Sequence, residues 1–218
     1  MLMEWQLRRD VAETARKTYQ SGFVTATDGN VSVRTLGDRL FITPSGACLG
    51  EVNAADLLYM DFAGNVLSGR GAPSSELAMH LTIYRRRPDV HAVIHSHPVA
   101  AVACTVAGVS LDAPVIPEVA VTLRTIPTVE YATPSTDETA RAVETWIGTH
   151  DAILLDRHGA VTVGKTLVDA YRKLEKVEYA ARIMLVASQS GTVRTLTPEQ
   201  LDKLRDVAAK LGLDRLGG

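Results

Sequence analysis

Leu7, Val11, Ala15 and Tyr19 recur every fourth residue, a period that predicts an amphipathic helix over residues 3–21, stopped near Gly22. The period then changes. Residues 31–35 alternate apolar and polar, Leu36-Gly37-Asp38 turns the chain, and Arg39–Thr43 returns, so this stretch reads as a hairpin. Leu57–Asp61 and Val66–Leu67 predict another around Gly64-Asn65. Ser74 or Ser75 is a natural N-cap for a helix to about Arg87, ended by Pro88. Val90, Ala92 and Ile94 alternate again into a strand that carries His95 and His97, and Pro98 suits the first turn of a helix over Val99–Ala107.

Residues 111–135 are Pro-rich and mostly extended, with a short helix over Glu118–Leu123 and a strand near Thr125. Thr136 or Asp137 caps a helix to about Gly148, and Ala152–Leu155 and Ala160–Val163 read as paired strands across His158-Gly159. Apolar positions at 167, 170, 174, 177, 181 and 184 predict a long helix to about Ser190, and Thr197 starts a last one to Leu211. Strand pairs interleaved with helices predict an α/β fold with a mixed or antiparallel sheet and helices on its faces.

Composition narrows the function. A chain of 218 residues with 46% apolar content can bury the core of one domain spanning 1–218. A net charge of −2 offers no basic footprint for nucleic acid and no polybasic patch for a membrane. No apolar run is long enough to cross a bilayer, and residues 1–9 lack the apolar core of a signal peptide. Cys48 and Cys104 are far apart with no CxxC, so free thiols in a reducing cytoplasm are expected.

The candidate chemistry centres on Ala72–Pro98. On a strand, His95 and His97 project from one face and can reach one ion. Glu76 opens the preceding helix, and His158 lies in a turn-flanked position further on. Three imidazoles and a carboxylate suit a divalent first-row metal, Zn²⁺ foremost, with Mn²⁺, Co²⁺ or Fe²⁺ as alternatives. His91 is too far along the strand and reads as a surface residue or an outer partner. His80, one helical turn from Glu76, is a ligand by spacing alone, but a supporting partner or a packing residue is preferred. His150 complements a helix end, and Cys104 is core packing. Gly29-Asn30, Thr43-Pro44-Ser45-Gly46 and Ser74-Ser75 are each ordinary turn chemistry, yet together they offer the hydroxyls, carboxamide and backbone N–H groups that bind a phosphate. Glu118 is either a helix-start charge or a buried acid/base.

Gly29-Asn30-x-Ser32-x-Arg34, Thr43-Pro-Ser-Gly46, Ser74-Ser-Glu76, His95-x-His97-Pro98 and His158-Gly159, in this order and spacing, resemble the class II (zinc-dependent) aldolase/adducin head family over about Leu7 to Gly191. The resemblance implies a three-layer α/β/α sandwich around a mainly antiparallel sheet, assembled as a homotetramer with sites between subunits. It implies His95, His97 and His158 as metal ligands, with Glu76 as a resting-state ligand and catalytic base. Asn30, Thr43, Ser45, Gly46, Ser74 and Ser75 would surround the phosphate of a small sugar-phosphate substrate. The implied reaction is reversible cleavage of a 1-phosphorylated ketose to dihydroxyacetone phosphate and an aldehyde, through a metal-stabilised enediolate. A glutamate at position 76 favours an aldolase over the family's 4-epimerases, which usually carry aspartate there. Dehydration, decarboxylation and a non-catalytic assembly role are the remaining alternatives. The chain departs from one family aldolase in lacking a tyrosine acid after the histidine strand and another in the tail Leu213–Gly218. Glu118 is expected to take the acid's place.

Overall fold

The computed structural model describes residues 2–212, and the tail at 213–218 lies outside them. In chain order the elements are α1 (Leu2–Gln20), β1 (Asn30–Thr35), β2 (Arg39–Ile42), β3 (Leu58–Asp61), β4 (Val66–Ser68), α2 (Leu77–Arg86), β5 (Ala92–Ser96), α3 (Val99–Ala107), α4 (Pro117–Thr122), β6 (Thr128–Val129), α5 (Asp137–Ile147), β7 (Ala152–Leu155), β8 (Gly159–Gly164), α6 (Leu167–Gln189) and α7 (Pro198–Lys210). The eight strands form one sheet in the order β4-β3-β2-β1-β5-β8-β7-β6. All neighbours pair antiparallel except β6 and β7.

Strand alternation sorts the core onto two faces. Val31, Val33, Ala92 and Ile94 meet Val11 and Ala15 of α1 and Leu174 of α6, while α3 and α4 extend that layer over Ala152, Leu154 and Ala160. Leu40, Ile42, Val93, Val161 and Val163 face the other way, against Met79 and Ile83 of α2 and Val143 of α5. This is the three-layer α/β/α sandwich with a mainly antiparallel sheet that the resemblance implied. The β1–β2 turn is tight because Gly37 and Asp38 both take positive φ, at 72° and 51°, as a hairpin turn matched to strand twist requires.

Three details differ from the expectation. The strand placed near Thr125 starts at Thr128: Ile126 instead bridges Leu111, and Pro127 has no N–H but accepts from Leu154 N at 2.8 Å. Neither serine is the N-cap of α2, because Glu76 occupies that position; Ser74 Oγ instead accepts from Glu76 N at 3.2 Å and holds the turn before the helix. The histidine strand ends at Ser96, so His97 lies beyond it, where Pro98 turns the chain into α3.

The start of α3 is fastened from α6. Buried Glu178 accepts from Ala100 N at 3.0 Å and from Ala101 N at 3.1 Å, two amides of the helix's first turn, and Arg182 Nε donates to it at 2.9 Å. Glu178→Ala strands these donors and is expected to cost about 1–3 kcal/mol. Thermal unfolding should register a fall in Tm of about 2–12 °C. An unchanged Tm would remove this anchoring role. Among the described residues, no helix is long and apolar enough to cross a membrane.

Candidate metal centre and active site

The site is built where three central strands begin or end. Asn30 opens β1 and stands directly across from His95 on β5, while Gly159 opens β8 immediately after His158. Because Val93 faces α2, so does His95, and Glu76 at the entry to α2 meets it. His97 is held just past β5 by its backbone N–H, which donates to Phe23 O at 2.8 Å. His158 is set by the β7–β8 turn, in which Arg157 takes a positive φ of 55° and its N–H donates to Thr105 Oγ1 of α3 at 2.9 Å.

The three imidazoles converge. Their ring centroids lie 4.8–5.0 Å apart, and one nitrogen from each falls within 4.8 Å of the others. His95 Nε2 is 3.1 Å from His97 Nε2. Glu76 places Oε2 3.0 Å from His95 Nε2 and Oε1 3.5 Å from His158 Nε2. Two glycines make this crowding feasible. A Cβ on Gly159 would stand 2.4 Å from Ser96 O and 2.7 Å from His97 Cδ2, and one on Gly29 would stand 2.8 Å from His95 O.

The donor set fits a divalent metal. Nδ1 of His95 donates to Ala160 O at 3.1 Å, so Nε2 is the atom turned to the cluster, as an outer hydrogen bond orients an imidazole ligand. Burial, reinforced by repulsion from His95, pushes His97 down to about 3 and His158 down to about 4. At neutral pH both therefore carry lone pairs, the ligating form. Burial pushes Glu76 up, but His95 and the Asn30 amide outweigh it and hold the carboxyl well below its usual range, ionised. Glu76 Oε1 is buried with no hydrogen-bond partner. Nitrogen lone pairs and a carboxylate crowded together, with one carboxylate oxygen unsatisfied, call for a cation.

The remaining residues named from the sequence divide. Asn30 Nδ2 donates to Glu76 Oε2 at 2.9 Å and to Ser74 Oγ at 3.0 Å, which joins the first and third loops. The second loop abuts the third: Pro44 bridges Pro73, and Ser45 N donates to Ala72 O at 2.9 Å. Thr43 is buried, its hydroxyl accepting from Val31 N at 3.2 Å, while Ser45 and Gly46 are exposed. Ser75 is exposed and pairs with Ser135 Oγ at 2.7 Å. Glu118 is exposed in the first turn of α4, and among the described residues no hydrogen bond or ion pair joins it to the cluster. His91 is exposed and Cys104 is fully buried, as expected. His150 sits beyond α5 with Nδ1 3.2 Å from Trp146 O.

Sequence reasoning missed Asp28, whose Oδ2 lies 3.7 Å from His97 Nδ1, and the roles of Ser32 and Tyr84 behind His80. Asp28 precedes Gly29-Asn30 and carries no local signal beyond turn chemistry. The i, i+4 spacing of Glu76, His80 and Tyr84 was the available signal for the others.

Fold and site together define a class: a three-layer α/β/α protein whose central strands present three histidines and a glutamate as a candidate metal centre. The chain belongs to the class II aldolase/adducin family, and residues 9–185 match the family described as Class II Aldolase and Adducin N-terminal domain. It is 35% identical over 183 residues to the L-fuculose phosphate aldolase of Methanocaldococcus jannaschii, covering 82% of this chain and 96% of that protein. It is also 30% identical over 207 residues to the 3-oxo-tetronate 4-phosphate decarboxylase of Escherichia coli K12, covering 93% and 97% respectively. A solved L-fuculose 1-phosphate aldolase superposes with a TM-score of 0.87 at 31% identity, covering 95% of this chain and 96% of that one.

Proposed function

We propose that the chain is a metal-dependent aldolase that reversibly cleaves a 1-phosphorylated ketose, such as a fuculose 1-phosphate, to dihydroxyacetone phosphate and an aldehyde. The observation that carries this reading is Glu76, ionised and held by Asn30 against the three histidines. His95, His97, His158 and the resting Glu76 would hold the metal, with zinc best suited to three imidazoles and a carboxylate. When bound, such an ion polarises the ketose carbonyl and its neighbouring hydroxyl.

The chain's own residues handle the protons. As the carbon–carbon bond breaks, the hydroxyl that becomes the aldehyde oxygen gives its proton to Glu118, and the carbon left on the three-carbon fragment takes one from Glu76, which is ionised in the resting site and takes up that proton from solvent once substrate is bound. Aldol addition runs the same transfers in reverse. Glu118 is exposed on its own chain, and in this reading it serves a neighbouring copy's site in a homotetramer with sites between subunits. Asn30, Thr43, Ser45, Gly46, Ser74 and Ser75 surround the substrate phosphate, using the backbone N–H groups and hydroxyls of loops that already touch one another.

Decarboxylation of a 3-oxo sugar acid phosphate is the second reading. It is favoured by the match to the E. coli decarboxylase along nearly the whole chain. Both reactions leave the same kind of stabilised carbanion, and they differ in whether an aldehyde or carbon dioxide departs.

The deciding assay offers 1-phosphorylated ketoses and a 3-oxo-tetronate 4-phosphate to the metal-loaded protein and reads dihydroxyacetone phosphate and carbon dioxide. Each substrate is offered separately, and dihydroxyacetone phosphate release from a 1-phosphorylated ketose, with no carbon dioxide and abolished by chelator, is expected. Carbon dioxide and dihydroxyacetone phosphate released together from the 3-oxo-tetronate 4-phosphate, with no cleavage of any ketose, would replace the aldolase with the decarboxylase.

A further inference from the structure

Behind Glu76 lies a buried chain of polar side chains, Asn30, His80, Ser32 and Tyr84, and its direction follows from the carboxylate. An ionised carboxylate only accepts, so the Asn30 group 2.9 Å from Glu76 Oε2 is its NH₂. Asn30 Oδ1 is then the atom 2.5 Å from His80 Nε2, and that nitrogen carries the ring proton. His80 Nδ1 is left to accept from the Ser32 hydroxyl at 2.7 Å, and Ser32 Oγ in turn accepts from Tyr84 OH at 2.7 Å. Reversing any one member sets two lone pairs or two protons face to face.

A histidine packed for its volume alone would not need both ring nitrogens committed in one sense. His80 is fully buried on the inner face of α2, one turn after Glu76. Without a donor at Nε2, Asn30 Oδ1 would face a lone pair at 2.5 Å, and only Glu76 and Ser74 would hold the carboxamide in its present sense. A flipped amide would turn its oxygen toward the carboxylate, a repulsive contact in a dry site.

We propose that His80 is a positioning residue for the candidate metal centre: by donating from Nε2 it fixes the flip of the Asn30 carboxamide, and the amide aims Glu76 at the three histidines. The proposal deepens the reading above and rests on it, in that Glu76 is taken as a metal ligand. It assigns His80 no contact with metal or substrate.

The test uses the full chain with zinc as the probe. Zinc dissociation constants are measured by chelator competition for the wild type, His80→Met, His80→Gln, Glu76→Ala and the Glu76→Ala/His80→Met pair. His80→Met is expected to weaken zinc about 10-fold, the low end of the loss on removing a group bonded to a ligand, because His80 acts on Glu76 through Asn30. His80→Gln returns an N–H near the Nε2 position and should recover most of that loss. In the Glu76→Ala background, His80→Met should add nothing, because its effect travels through the missing carboxylate.

Nitrogen NMR of the metal-free wild type should find His80 protonated at Nε2. Equal zinc losses from His80→Met with and without Glu76 would overturn the proposal, as would an Nδ1–H tautomer. A wild type that binds no zinc would sink the metal centre instead, and the tautomer would then decide the hydrogen-bond chain by itself. Thermal unfolding checks that His80→Met folds; if it does not, the tautomer again decides.

Discussion

Glu76→Gln is expected to lower kcat by about 10²–10⁴-fold, the range lost when a positioned acid/base is removed. Glutamine keeps the side chain's shape, and its amide oxygen can still accept from Asn30 Nδ2, which now meets Glu76 Oε2 at 2.9 Å. It cannot take up and return a proton. The assay is run at saturating zinc with bound metal counted in the same sample, so that a loss of metal is separated from a loss of proton transfer. A variant that binds zinc and turns over like the wild type would remove Glu76 from the chemistry.

The second large effect is expected from a single methyl group. In Gly159→Ala the new Cβ would lie 2.4 Å from Ser96 O and 2.7 Å from His97 Cδ2. The first is backbone of a paired central strand and the second a ring of the candidate centre, so neither yields cheaply. The cost is steric alone, because Gly159 is not among the residues of positive φ. Overpacking at this position should cost about 3 kcal/mol, a fall in Tm of about 6–12 °C for a chain of this size. Zinc affinity should fall with it, as Ser96, His97 and His158 move apart. Gly148→Ala is the control, since nothing lies within 4 Å of its Cβ position. Equal Tm values for the two variants would mean that the packing around His158 is far softer than drawn.

Much of this architecture was legible in the chain. The element pattern held because local period and burial agree: Leu7, Val11 and Ala15 form one face of α1, and Val31 and Val33 alternate into the same core. The candidate ligands were legible because HxHP and Ser-Ser-Glu are short, local patterns. Contacts made across the fold were hidden. The small-residue loops together offered the Asn30 carboxamide to a phosphate, yet its side chain is committed to Ser74, Glu76 and His80, residues 44, 46 and 50 positions away. The strand near Thr125 slid toward Thr128 for the same reason, since a partner in β7 chose its register where propensity alone was indifferent.

The cross-strand pairing of Asn30 with His95 also bears on how the chain finds its fold. Sliding β5 by one residue against β1 would turn His95 to the α1 and α6 side and put Ser96 beside Asn30. The slip would lose few hydrogen bonds, and Val-, Ile- and Ala-rich strands tolerate either face. It would, however, scatter the three imidazoles and leave Glu76 buried alone. A divalent ion held by His95, His97 and His158 during refolding would therefore contribute its binding free energy to one alignment of the central strands and to none of its competitors. A candidate metal centre of this kind would double as a proofreader of the sheet.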